Sequence, residues 1–392
     1  MKSRRLSRKR SRTAIVTAAA GAVVAGVALV PNWSAGAAVT DNPTVDAATR
    51  ATFQRLADAV FTDRTSALVD SGTHHAKRLA AGFSGDVRLS SAQSREESSA
   101  LGELRGRKSR LARLGEKYSA ASTRVTLDAT RVKGRRATVA VTETTTLTYE
   151  KVKGTEPRTT GFQAHHELTF RADRRGDWQL TGVQDTDDGY LAVNQVAKPD
   201  VAKPATASDD GPPEAARSAT TWPAPAKPKS LSGTGYDYKA MAAYATKYWN
   251  QYNPDYPDYN GEGAGGDCTN FVSQSLKAGG WKHVPGYTDD FHNWFGNADI
   301  QSDSFVGVNE FSWFALSSKR VTSLANVYQM DIGDVLQMDF NKDGSKDHSM
   351  IVTYRNPQGV PYVTYHSTNT YNRSVASLVA SYPTAAFYAY RT

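Results

Sequence analysis

The sequence predicts an α+β protein built from two units. Three observations predict it. Apolar residues recur at helical spacing after Asn42-Pro43, apolar and polar residues alternate from Val125 onward, and a Pro/Ala/Ser/Lys stretch over residues 196–234 separates two regions of different composition. A chain of 392 residues is also too long for one ordinary core.

The first 37 residues read as a secretion signal. Lys2, Arg4, Arg5, Arg8, Lys9, Arg10 and Arg12 precede an apolar run from Thr13 to Val30, and Ala35-Gly36-Ala37 supplies a small-x-small cleavage site. Cleavage is expected after Ala37 or Ala38, with an uncleaved anchor as the alternative reading of the 18-residue run. The expected location is therefore secreted, or extracellular. Arg4-Arg5 does not decide the export route. Losing the seven leader charges takes a net charge of +8 to near neutrality, with 40 basic against 39 acidic residues. No basic surface for nucleic acid is implied, and no stable membrane span is expected once the signal is removed.

Residues 40–195 form the first unit. Val45, Ala48, Phe53, Leu56, Ala57, Val60 and Phe61 predict one helix, and Leu101, Leu104, Leu111 and Leu114 give a charged second helix over about 91–117 a thin apolar stripe. Strands follow at Val125–Leu127, Ala137–Val141, Phe162–Phe170 and Trp178–Val183, with turns at Lys133-Gly134 and Arg174–Asp177. Helices followed by a meander make an α+β domain, and this order of elements resembles the nuclear-transport-factor-2-like folds. His165-His166 read as ordinary strand residues. Nothing in these residues decides the role of the domain. Residues 196–234 are predicted to be a disordered, extended linker.

Residues 235–392 hold 16 of the 19 tyrosines, a shift that marks a second domain. They also hold the single cysteine, Cys268, in the run Gly265-Gly266-Asp267-Cys268-Thr269-Asn270-Phe271-Val272-Ser273-Gln274. Phe271, Val272, Ser275 and Leu276 share one helical face, and Gly279-Gly280 ends the helix. Cys268 then sits in the first turn, where unpaired amides and the helix dipole favour a thiolate, so a lowered thiol pKa is expected. The competing reading is a buried cysteine acting as a small apolar residue.

The ten-residue block, with the short helix and Gly-Gly-Trp that follow, resembles the amidase domain of secreted bacterial proteins, a relative of the papain-like NlpC and CHAP cell-wall peptidases. The resemblance covers about residues 236–392. It implies a papain-like fold in which a Cys-bearing helix packs on an antiparallel sheet carrying His. It also implies that His348 acts as general base and then general acid.

His348 opens an apolar strand (Met350, Ile351, Val352) after an Asp343-Gly344 turn. Counting back from the turn at Asn356–Gly359 places His348 opposite residue 366 or 367, which suits His366 as the residue that orients the base. Asn369 is the alternative third residue. His283 and His292 read as surface or groove residues. The expected chemistry is thiolate attack on an amide, a thioester acyl-enzyme, and an oxyanion held by the Cys268 backbone amide and Asn260. Tyr259 is the alternative to Asn260.

Asp339, Asn341, Asp343 and Asp347, with Gly344, repeat half of a calcium loop, but Met350 stands where the bidentate Glu belongs. The other reading is an acidic hairpin turn, and no cofactor is expected beyond that candidate structural calcium. The expected partner is a peptide or amide substrate, with cell-wall (peptidoglycan) peptide suggested by the resemblance alone. Two further readings stay open: a non-catalytic cell-wall or protein-binding module, and a transamidase using the same Cys and His.

Overall fold

A computed structural model describes residues 46–70, 88–187, 191–196, 212–260 and 266–392. The expected secretion signal and the glycines at 261, 263 and 265 approaching the cysteine lie outside the described residues, as does the first part of the expected linker.

Helix α1 (Ala47–Ser66) starts where the Asp46 side chain accepts a hydrogen bond from the Thr49 amide at 2.7 Å. Ser90 caps α2 (Ser91–Arg113) in the same way. The strands β1 (Tyr118–Lys133), β2 (Arg136–Tyr149), β3 (Thr159–Ala172) and β4 (Trp178–Asp185) form the expected meander. Alternation along β2 buries Val139 and Val141, and α1 packs Phe53, Leu56, Val60 and Phe61 onto them. The stripe on α2 goes elsewhere. Leu101, Leu104 and Leu111 pack with Tyr118, Tyr149 and Phe162, and also with Tyr362 and Ala380 of the C-terminal half.

The C-terminal half contains α3 (Tyr238–Tyr248), α4 (Cys268–Ala278), α5 (Asp303–Val306), α6 (Val308–Ser317), β5 (Thr322–Leu324) and a 3-10 turn at Val327–Gln329. It continues with β6 (Val335–Asp339), β7 (His348–Arg355), β8 (Pro361–Tyr365), β9 (Thr370–Ser374), α7 (Val375–Ser381) and β10 (Ala386–Arg391). Gly280, at φ 101°, ends α4 by letting the Trp281 amide reach back to the Leu276 carbonyl at 3.1 Å.

One antiparallel sheet runs through both halves in the order β1-β2-β3-β9-β8-β7-β6-β10-β5, with β4 branching from β3. The join is short: Gly161 pairs with Tyr371, and Phe162 with Thr370. Phe271, Val272 and Leu276 of α4 cover one sheet face with Val335 and Ile351, while Val375 and Leu378 of α7 cover the other with Leu336, Met350, Val352 and Tyr365. No helix among the described residues is long and apolar enough to cross a membrane.

Residues 212–234 depart from the expected disordered linker: they form a strap tied to the C-terminal half. The Ser218 amide donates to Phe387 O at 2.7 Å, Ala219 bridges to Asn326, and the Trp222 ring meets Tyr328 with centroids 4.8 Å apart. Lys229 Nζ lies 2.7 Å from buried Asp334. Composition reported the weak local preference of this stretch correctly. Its order comes from distant partners, which composition does not register.

Candidate active site

Cys268 is the first residue of α4, and Asp267 is its N-cap. The thiol is 1% exposed. It accepts a hydrogen bond from the Ser349 backbone amide and lies 3.7 Å from Thr269 Oγ1. The Thr269 and Ser349 hydroxyls are hydrogen-bonded at 2.9 Å, and Gln337 Nε2 donates to the same Ser349 oxygen at 3.1 Å. A row of small polar groups thus fixes the start of α4 against the first peptide of β7, the His348–Ser349 bond.

Alternation along β7 sends Ser349 and Ile351 toward α4 and Met350 and Val352 toward α7. The His348 ring meets Tyr365 edge-on, with centroids 5.0 Å apart and planes at 89°. Tyr365 belongs to the α7-side cluster, and its hydroxyl accepts from buried Arg373 at 3.0 Å.

Burial pushes the Cys268 thiol up to about 11, and the Asp267 charge adds to the rise. Donation from Ser349 and Thr269 opposes both without cancelling them. This corrects the expected low thiol pKa: at this helix start, desolvation outweighs the amides and the dipole. Burial likewise pulls His348 down to about 3, aided by the Arg373 charge. At neutral pH the resting site holds a neutral thiol and a neutral imidazole.

His366 is also buried, but it serves another purpose than expected. Its Nδ1 lies 2.6 Å from Asp267 Oδ2 and its Nε2 lies 2.7 Å from the Tyr248 carbonyl, while its ring stacks on Phe271 with centroids 4.0 Å apart. The ladder pairs Ile351 with Thr364, a count that sets residue 348 against 367 and leaves 366 on the α4 side. Both ring nitrogens are engaged away from His348, so His366 orients Asp267 instead of His348. Asn369 is tied elsewhere: Tyr252 donates to its side-chain oxygen at 3.0 Å, and its carbonyl accepts from the Gln163 amide at 2.9 Å.

Asn260 donates to Asp187 of the N-terminal half at 3.3 Å, and Tyr259 donates its hydroxyl to Gln301. Asp187 also contacts His165 Nδ1 at 2.8 Å. His166 is buried between Asp185 at 2.9 Å and Glu143 at 3.2 Å. His292 sits on the surface beside Asp290, and His283 packs against Trp294 and Phe305. Trp281 and Trp294 fill the core.

The acidic loop folds on itself. Asp339 accepts from the Gly344 amide at 3.0 Å, Asn341 from Asp343 at 3.0 Å, Asp343 from Ser345 at 2.8 Å, and Asp347 from Phe340 at 2.7 Å. These are the local bonds of an acidic hairpin turn. Among the described residues, no group of three or more His, Cys, Asp or Glu side chains is placed to hold a metal ion.

Sequence reasoning passed over Asp267, Ser349 and Arg373. Asp267 adjoins Cys268 in the motif and was readable there. Ser349 and Arg373 carried no signal without the strand register.

The family described as "Putative amidase domain" matches residues 235–390. The uncharacterized protein YhbB of Bacillus subtilis (strain 168) is 30% identical over 142 residues, covering 35% of this chain and 44% of the relative. The uncharacterized protein YjcM of the same strain is 32% identical over 153 residues, covering 36% and 34%. The chain therefore spans less than half the length of these curated relatives. The crystal structure of the intermembrane space region of the chloroplast protein ARC6 aligns with 36% of this chain and 98% of that one at 17% identity. Its TM-score of 0.23 is too low to bear on the fold.

Proposed function

We propose that the C-terminal half is a papain-like thiol amidase, with Cys268 as nucleophile and His348 as general base. The observation that carries this reading is the seating of Cys268 in the first turn of α4, its thiol hydrogen-bonded to the first peptide of the strand that His348 opens. Thiol and imidazole are both neutral at rest, and the His348 ring rests against Tyr365 on the α7 side of β7, so the ring must swing toward the thiol and the proton moves during attack. The sulfur bonds to the amide carbon as His348 takes the thiol proton. The oxyanion is held by the Cys268 amide. His348 then protonates the departing amine as the C–N bond breaks, leaving a thioester. Water, deprotonated by His348, releases the acid and restores the thiol. The same acyl-enzyme serves a transamidase when an amine replaces water. We further propose export, from the N-terminal pattern, and peptide of the cell wall as the substrate, from the resemblance.

The test is release of nitroaniline from a panel of peptide nitroanilides by the full chain and by Cys268→Ala, with intact-mass detection of an acyl-enzyme. Turnover that survives Cys268→Ala would overturn the proposal. The sealed thiol favours a second reading, a binding module that retains the fold, and absence of both turnover and acylation across the panel would select it.

A further inference from the structure

A cavity of about 370 Å³ lies where the N-terminal and C-terminal halves meet, and it shares no lining residue with the Cys268 site. It is bounded by the turn after α2, the β2–β3 hairpin, the strap and the β7–β8 turn. Its volume falls in the range of small-molecule sites. Tyr149 and Tyr362, both largely buried, and Trp222 give it aromatic walls.

The charges in it are arranged by depth. Glu116 and Glu156 line it, and Glu156 is 7% exposed. One Glu156 oxygen accepts from the Lys153 amide at 2.7 Å, whereas Oε1 is buried with no hydrogen-bond partner. Glu116 is satisfied, by Tyr118 at 2.7 Å and by Ser374. A buried carboxylate oxygen without a donor is costly unless something occupies the space beside it. Lys151 and Lys153 lie at the exposed edge with Glu150 and with Lys117, which pairs with Asp70, so cations outnumber acids there. An ammonium group suits the Glu156 oxygen and the aromatic walls. A carboxylate suits the lysine edge. One molecule carries both groups at short separation, together with apolar side chains for the tyrosines: a short peptide with free ends.

We propose that this interdomain cavity binds the free ends of a short peptide, its ammonium at Glu156 and its carboxylate at Lys151 and Lys153. The site is separate from the proposed nucleophile and stands whether or not that reading holds.

The test is calorimetric titration of full-length Cys268→Ala with alanyl-leucine, its N-acetyl form and its C-amide. The expected result is binding of the free dipeptide with a millimolar or tighter Kd. N-acetylation or Glu156→Gln should weaken it at least about tenfold, and C-amidation or the pair Lys151→Ala, Lys153→Ala about threefold or more, since charge-assisted contacts are at stake. Glu156→Gln is isosteric and the lysines are exposed, so the melting temperature reports that the variants fold. The proposal is overturned if the free dipeptide does not bind. It is equally overturned if folded Glu156→Gln binds it unchanged, which would place the dipeptide elsewhere.

Discussion

His366 Nδ1 lies 2.6 Å from the carboxylate of Asp267, the residue directly before Cys268. Asp267 is fully buried and also accepts from Asn270 Nδ2 at 2.7 Å, while its own amide donates to Ser367 Oγ at 3.1 Å. Ser367 and Thr368 adopt φ values of 61° and 66°, a left-handed pair that L residues rarely accept without surrounding support. The turn between β8 and β9, the imidazole and the carboxylate together set where α4 begins.

Removing one partner of such a buried pair strands the other. His366→Ala is expected to cost about 3 kcal/mol of stability in urea unfolding, with His366→Gln costing less because it keeps one polar contact. A loss below about 1 kcal/mol, the scale of an ordinary hydrogen bond, would show that the pair does not hold the start of the helix.

The raised thiol makes a kinetic prediction. Iodoacetamide labelling of folded Cys268 should be slow at pH 7 and climb steadily toward pH 11, since only the thiolate reacts. Urea-unfolded chain should label with the midpoint of an ordinary cysteine. A labelling plateau below pH 8 in the folded chain would contradict the burial effect. It would restore the low-pKa expectation that the helix position first suggested.

Two buried histidines give stability opposite pH dependences. His348 is pulled from 6.5 to about 3, so its neutral form favours folding above pH 6.5 and that contribution is lost as pH falls toward 3. The slope is about 1.4 kcal/mol per pH unit across that window. His166 is raised from 6.5 to about 9; burial opposes the rise, and its hydrogen bonds to Asp185 and Glu143 carry it. Its contribution is present below pH 6.5 and lost as pH rises through about 9. Urea midpoints against pH should therefore lose their acid slope in His348→Gln and part of their alkaline slope in His166→Gln. An unchanged acid limb in a folded His348→Gln would refute the buried-neutral assignment.

Much of this arrangement was legible in the residues. Helical spacing located α1 and α2, alternation located the meander, and the glycines after Ala278 marked the end of α4. Local patterns could do this because each depends on a few neighbouring side chains. What stayed hidden depends on pairing across the sheet. One residue of register decides whether His366 faces His348 or Asp267, and the bulge between Val352 and Tyr354 shifts that register where no motif marks it. The strap over 212–234 and the thiol pKa were misjudged for a related reason. Order in the first comes from residues more than a hundred positions away, such as Phe387, and desolvation in the second from the packing of α4 on the sheet.

The junction of the two halves offers the last test. A Cβ built on Gly161 would lie 2.6 Å from the Tyr371 ring and 2.7 Å from the Thr145 carbonyl, and a backbone oxygen within the β2–β3 ladder cannot easily retreat. Gly161→Val should therefore force β3 away from β9. The expected cost is about 2 kcal/mol from overpacking. Gly182→Ala, whose nearest contact would be Thr169 Cβ at 3.6 Å, should be close to neutral. The wedge acts beyond stability, because Asn369 is held by Gln163 of β3 on one side and Tyr252 on the other, and the Ser367–Thr368 turn that caps Asp267 directly precedes it. Faster iodoacetamide labelling of Cys268 in folded Gly161→Val, with Gly182→Ala unchanged, would show that the N-terminal half helps seal the thiol. Unaltered labelling in a folded Gly161→Val chain would show that the C-terminal half sets the site without its neighbour.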